Sequence, residues 1–272
     1  MNTEELELDL LLSAVYRLSG FDFRQYMRSS LMRRIHNRMN MERLKSITSL
    51  TERIIHDETV LAKVLGDFSI NVTEMFRDPS FFKSFREEVV PLLSSLPEIR
   101  IWHAGCSTGE EAYSMAILLH EEGLSSRVKI YATDMNEIVL KKAASGTMPL
   151  QKMQQYTKNY MASGGKKSFS EYYTADSERA YIDGALKDKI IFAQHNLVTD
   201  GSFNEFHVII CRNVLIYFNL ELQQQVLQLF NESLAPQGFL GLGSKESIRS
   251  DGLDFENFNM LEKLFRKKSR NP

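Results

Sequence analysis

One segment limits the folds open to this chain more than any other. Residues 99–104, Ile-Arg-Ile-Trp-His-Ala, read as a strand that passes into Gly105-Cys106-Ser107-Thr108-Gly109. Residues 110–122 follow with helical periodicity. Strand, glycine-flanked turn and helix in that order open a doubly wound sheet. The alternation continues: 128–133 reads as a strand, 137–144 as a helix, 190–193 and 207–211 as strands, 220–234 as a helix and 239–242 as a strand. The expected fold is α/β, a Rossmann-like sheet with right-handed crossovers. Residues 146–188 break the rhythm. They are polar, hold two short strand patterns at 169–173 and 179–182, and carry a tip, Ser163-Gly164-Gly165-Lys166-Lys167, that reads as flexible. A bare loop of that length is unusual, so this stretch is expected to be a small inserted β-subdomain.

Upstream the texture is all helical. Leu6, Leu10, Val15 and Leu18 recur at helical spacing until Gly20, a second helix is expected over 23–41, and a third over 49–65 with a stop at Gly66. This divides the chain into a helical domain, 1–66, and a sheet domain, 67–272, whose residues 67–77 form a linker. Asp78-Pro79 predicts a helix start, an N-cap acid before a first-turn proline. That helix carries Phe81, Phe82, Phe85 and Val89 and is expected to end near Pro91.

Composition sets outer bounds. With 272 residues, 43% apolar and 25% charged, the chain holds one or two domains with an ordinary core and needs no staple. A net charge of −2 excludes wholesale nucleic-acid wrapping. Cys106 and Cys211 provide neither a disulfide framework nor zinc-ligand spacing, so no metal is expected. No basic stretch followed by an apolar run opens the sequence, and no run approaches ~20 apolar residues. The expectation is a cytoplasmic monomer with no membrane insertion.

The turn at 105–109 carries the chemistry. Its Gly-x-x-x-Gly spacing lacks both the dinucleotide fingerprint and the phosphate-binding lysine of a Walker sequence. The acids Glu110 and Glu111 would repel phosphate but suit a ligand bearing an ammonium group, such as S-adenosylmethionine. Ser107 and Glu110 have capping-box spacing, which would occupy Glu110 and leave Glu111 freer for a ligand. Asp134 ends the second strand about 25 residues after Gly109, close to the offset of a ribose-binding acid, although it could equally cap the next helix. Residues 194–197 and 211–218 also follow strand ends, where ligands of such sheets lie.

Three motifs, Asn71-Val72-Thr73-Glu74-Met75-Phe76-Arg77-Asp78, Ser107-Thr108-Gly109-Glu110-Glu111 and Cys211-Arg212-Asn213-Val214-Leu215-Ile216-Tyr217-Phe218, together resemble the chemotaxis receptor methyltransferases, the CheR family. The resemblance covers nearly the whole chain, and departs from the family pattern in having Ala112 where proline is frequent. It implies S-adenosylmethionine as cofactor, S-adenosylhomocysteine as product, and a glutamate side chain of a chemoreceptor as acceptor. By resemblance, Asn71, Thr73 and Arg77 belong to a segment closing over the cofactor, and Glu111 and Asp134 meet its amino-acid part and ribose. Asn196, Leu197, Arg212 and Asn213 supply further contacts, and Arg77 and Tyr217 flank the reacting methyl as the catalytic pair. In the helical domain Arg28, Arg33, Arg34 and Arg38 lie in a basic run opposed only by Asp22 and Glu42. They are expected to dock an acidic helical protein substrate rather than nucleic acid, since no aromatic platform interleaves them. An RNA methyltransferase and a non-catalytic S-adenosylmethionine-binding signalling module are the alternatives.

Overall fold

The computed structural model describes residues 2–69, 73–248 and 252–269. The chain divides into two compact units, one of residues 1–70 with 215–225, the other of 71–214 with 226–272.

The first unit is built on four helices, α1 (Thr3–Ser19), α2 (Arg28–Glu42), α3 (Ile47–His56) and α4 (Glu58–Phe68). Asn2 and Glu5 close a capping box on α1, and Gly20 ends it in the left-handed conformation. The expected second helix starts later, at Arg28, because Phe23 and Tyr26 close a turn and Tyr26 bridges to Phe218. The expected third helix is two. Asp57 is extended and its carboxylate accepts from the Thr59 N–H and hydroxyl, so an N-cap interrupts what periodicity read as continuous. Gly66 does not stop α4, which runs on to Phe68. Leu8, Leu11, Val15, Leu31, Ile35, Leu50, Ile54 and Val64 are buried, with Phe23 edge-on to Phe68 at 5.0 Å.

The second unit opens with α5 (Pro79–Ser84), widens to a π turn at Phe85–Val89, and continues as α6 (Val90–Leu93). Pro91 explains the widening, since it offers no N–H and its ring would meet the carbonyl four residues back, and the helix ends near it as expected, at Leu93. Then follow β1 (Ile99–Ala104), α7 (Glu110–Glu121), β2 (Val128–Asp134), α8 (Glu137–Ser145), β3 (Thr147–Pro149), α9 (Met153–Ala162), β4 (Tyr173–Ala175), β5 (Arg179–Ile182), α10 (Gly184–Lys187), β6 (Ile190–Gln194), β7 (Phe206–Cys211), α11 (Leu220–Ser233), β8 (Leu234–Leu242), β9 (Phe255–Asn259) and β10 (Leu264–Lys267). Residues 215–225, including the first part of α11, group with the first unit.

The main sheet has the order β6-β2-β1-β7-β8-β10-β9. Its first five strands are parallel, and β10 runs antiparallel to both neighbours. This is the expected doubly wound sheet, extended by two strands at its end. Alternation along β1 sends Ile99 and Ile101 into one apolar core with Phe82, Phe85, Ile117, Ile130 and Ile210. Trp102 faces the other way, within 5.4 Å of the rings of His195, Phe203, Phe206 and Phe230. Burying such a ring is worth about 5 kcal/mol by area.

The stretch from Thr147 to Lys187 is a subdomain, with β3, β5 and β4 in an antiparallel sheet and α9 burying Tyr156, Asn159 and Tyr160. The 169–173 pattern is a 3-10 turn, Phe169–Tyr172, that leads into β4. The tip at 163–167 is pinned rather than free. Ser163 is fully buried, the Lys166 N–H donates to Glu121 at 2.9 Å, and its ammonium pairs with Glu122 at 2.7 Å.

Candidate active site

In a sheet ordered this way the chain reverses direction of travel between β1 and β7, and a ligand crevice lies beyond the carboxyl ends of those strands. The turn after β1 is shaped by backbone. Gly105 has φ +75 and would drive a Cβ to 2.6 Å from Val214, so no larger residue fits. Gly109, at φ +89, is the N-cap of α7 and makes no side-chain cap. The expected Ser107–Glu110 capping box is therefore absent. Ser107 is itself left-handed, at φ 52, and its N–H donates to Asp134 at 2.9 Å. Glu110 accepts from the Thr108 hydroxyl at 2.6 Å and is 3% exposed, and burial raises its carboxyl pKa.

Asp134 thus fastens the turn to the end of β2. Its other oxygen accepts from the Asn136 N–H at 3.0 Å, and Asn136, not Asp134, caps α8. Burial raises the Asp134 carboxyl, with the Asn136 and Ser107 N–H groups opposing. Backbone N–H groups of Asn136, Ser107 and Met135 thus engage this carboxylate.

Glu111 is not the freer acid expected. One oxygen meets His103 Nδ1 at 3.2 Å and the other accepts from Arg212 at 3.0 Å. Burial would raise this carboxyl, but the His103 hydrogen bond and the Arg212 charge outweigh it and hold the pKa below the ordinary value. Arg212, 7% exposed, also donates to the Arg77 carbonyl at 3.1 Å and the Asp78 carboxylate at 2.6 Å, and it lies 4.2 Å over the Phe81 ring. Asp78 holds the expected N-cap position before Pro79, but its carboxylate makes no side-chain cap on α5. His103 and Asp78 were not anticipated as site residues. The available signals were a histidine on a strand whose other polar residue is Arg100, and the place of Asp78 at the end of the 71–78 motif.

Arg77 sits between two left-handed residues, Phe76 at φ 51 and Asp78 at φ 55. Each costs about 1–3 kcal/mol for a non-glycine residue, and such strain clusters at functional sites. Thr73 is half-buried at the start of the same segment. Asn71 lies outside the described residues. Asn196 folds back on itself after β6, its side chain accepting from Val198 N–H and its own N–H donating to Asp200, with Leu197 half-buried beside it. Asn213, at φ 62, donates its N–H to buried Glu246 at 3.0 Å. The second unit therefore holds Asp134 in one polar cluster and Glu111 with Arg212 in another, at the strand ends. His103 Nε2 and Arg212 Nε, both buried, have no partner among the described residues.

Tyr217 belongs to the first unit, where its carbonyl accepts from Met27 N–H at 2.7 Å and the Arg34 guanidinium lies 5.9 Å from its ring. The expected docking arginines fare differently. Arg38 is bidentate on Asp67 at 2.7 and 2.9 Å and reaches Glu42, and Arg34 donates to the Asp67 carbonyl at 2.8 Å. Arg28 pairs with Asp9 at 2.7 Å with half its side chain exposed, and Arg33 is exposed. Asp9 and Asp67 thus oppose the basic run along with Asp22 and Glu42, and Arg34 and Arg38 turn toward α4 and not outward.

A doubly wound sheet with an acid at the end of β2, a glycine-flanked turn after β1 and a locked glutamate at the start of α7 fits an adenosyl ligand that carries an ammonium group. This defines the class of S-adenosylmethionine-binding domains. Comparison with known families agrees: residues 71–264 match the CheR methyltransferase SAM-binding domain and residues 6–69 the CheR methyltransferase all-alpha domain. A Pseudomonas putida protein named Cher3 is 46% identical over 265 residues, 97% of either chain. A chemotaxis protein methyltransferase of Listeria monocytogenes is 30% identical, over 90% of this chain and 92% of its own. Chemotaxis protein methyltransferase 1 of Pseudomonas aeruginosa is 30% identical over 84% of each chain. The chain belongs to the CheR methyltransferase family, with S-adenosylmethionine as cofactor.

Proposed function

We propose that this protein esterifies glutamate side chains of an acidic helical protein, a chemoreceptor cytoplasmic domain. The observation that carries this reading is the Asp78–Arg212–Glu111–His103 chain, which holds Glu111 ionised at the crevice. A fixed carboxylate there suits the ammonium of the cofactor's amino-acid part, and Asp134 suits its ribose. The names of the Listeria and Pseudomonas relatives support a chemotaxis protein as acceptor. Two buried free cysteines fit a reducing cytoplasm as the place of work.

When bound, S-adenosylmethionine supplies an electrophilic sulfonium methyl, whose transfer to a carboxylate leaves a methyl ester and S-adenosylhomocysteine. A glutamate is already ionised at neutral pH, so no residue of this chain must remove a proton. The residues instead position and desolvate. Arg77 orients the acceptor carboxylate or orders the segment over the cofactor, and Tyr217 hydrogen-bonds near the reacting centre. Asn196, Leu197 and Asn213 line the remaining cofactor surface, and Arg212 acts through Glu111. Arg28 and Arg33, which keep exposed charge, steer the acidic partner.

The test is transfer of labelled methyl from S-adenosylmethionine to a glutamate-rich helical receptor fragment, followed by mild alkali. A carboxyl ester releases labelled methanol. Label that survives alkali, or enters RNA instead, would overturn the glutamate reading.

A further inference from the structure

The segment that carries Arg77 is gripped from several elements, and one of the grips comes from the inserted subdomain. Asn159 on α9 is 8% exposed. Its amide donates to the Met75 carbonyl at 3.0 Å and to the Glu74 carboxylate at 3.2 Å, while its oxygen accepts from Gln155 at 2.9 Å. Both donor hydrogens and the acceptor are therefore engaged, and the side chain has one rotamer that satisfies them. From α7, Ser114 accepts the Phe76 N–H at 2.8 Å and passes its own proton to the Glu110 carbonyl at 2.7 Å. Arg212 holds the Arg77 carbonyl and Asp78. The Phe76 ring is fully buried against Phe82, Tyr160 and Phe169, two of which belong to the subdomain.

Left-handed φ at a phenylalanine persists only where surroundings over-determine it. Here four successive residues, 75 to 78, are each fixed by a buried partner, and the strained pair brackets Arg77. We propose that Asn159 and Ser114 are positioning residues for Arg77, so that the inserted subdomain sets the geometry of the cofactor-closing segment. This rests on the assignment of Arg77 to the cofactor site. It gives the subdomain a role within the catalytic unit itself, independent of whatever it docks.

The experiment uses the full chain, Asn159→Asp, Ser114→Ala, Arg77→Ala and the Asn159→Asp/Arg77→Ala pair. Asn159→Asp keeps shape and the Gln155 bond but places an acceptor against two acceptors. Amide exchange should accelerate about tenfold or more at Phe76 in Asn159→Asp and Ser114→Ala, while β1 and β7 amides stay protected. Affinity for S-adenosylhomocysteine, by calorimetry, should fall about tenfold for Asn159→Asp alone and less than about twofold when Arg77 is already alanine. Unchanged exchange at Phe76 in both variants, or an equal affinity loss in both backgrounds, would overturn the proposal. If Arg77→Ala alone leaves affinity and methyl transfer intact, the assignment of Arg77 fails, and the exchange data still decide separately whether Asn159 holds the segment.

Discussion

Replacing Arg212 by leucine would remove one side chain and strand three acceptors: Glu111, the Arg77 carbonyl and Asp78. They do not weigh equally. The Asp78 side chain is 42% exposed, so its pair is worth about 0–1 kcal/mol. Glu111 is 17% exposed, and breaking a buried pair by deleting one partner costs about 3–5 kcal/mol because the other charge remains. The orphaned carbonyl adds about 1 kcal/mol or more. A loss of about 5 kcal/mol in all corresponds to a Tm drop of roughly 10–20 °C for a domain of this size. Neutralising the stranded acid should reverse most of this. Glu111→Gln/Arg212→Leu is expected to regain about 2–3 kcal/mol over Arg212→Leu, while both variants bind S-adenosylhomocysteine poorly. Thermal and denaturant unfolding measure the first, calorimetry the second. A double variant no more stable than Arg212→Leu would show that the Glu111 charge is not what Arg212 stabilises.

Asp134→Ala should weaken S-adenosylmethionine binding by roughly 10- to 100-fold, and unchanged affinity in calorimetry would sink the ribose assignment. The pKa of Glu111 is depressed below 4.5, so its stabilisation is fully present above the unfolded value and lost as pH falls through the folded one. The destabilisation caused by Glu111→Gln should therefore shrink on acidification below about pH 4.5, and a constant difference in unfolding free energy would contradict this. Tyr217→Phe should lower methyl transfer and spare cofactor affinity; full turnover would remove any role for the hydroxyl. Because Arg34 and Arg38 are committed to Asp67, charge reversal belongs at Arg28 and Arg33. Arg28→Glu/Arg33→Glu should slow transfer at limiting protein substrate and flatten its salt dependence, and coincident salt curves for variant and wild type would mean the partner docks elsewhere.

The sheet was legible in the sequence where burial on both faces calls for mostly apolar strands bounded by turn residues, as in β1 and β7. The glycine turn was legible because Gly105 and Gly109 occupy backbone conformations that few residues tolerate. What escaped were decisions made by tertiary partners. Ser107 and Glu110 have capping-box spacing, but Asp134 claims the Ser107 N–H and the left-handed turn moves the cap to Gly109. Asp78 is the N-cap residue of α5 as expected, but its carboxylate goes to Arg212, 134 positions away. The lysine-rich tip looked mobile because nothing local shows that Glu121 and Glu122 wait beneath it. The strands β9 and β10 are short, and β9 is mostly polar with no buried residue, so alternation there is weak.

The place of β10 has a consequence for how this chain can be cut or made. It lies between β8 and β9, so β9 reaches the sheet only through a strand that follows it in sequence. Until β10 exists, β8 presents Phe239, Leu240 and Gly241 along an open edge, a template for pairing with a neighbouring molecule. A chain shortened before Leu264 would not be a smaller version of the same unit. It would carry an unsatisfied edge and a detached strand, and its expected fate is self-association. Ribosomes synthesising this protein hold that open edge too, and it closes only when residues 264–267 emerge.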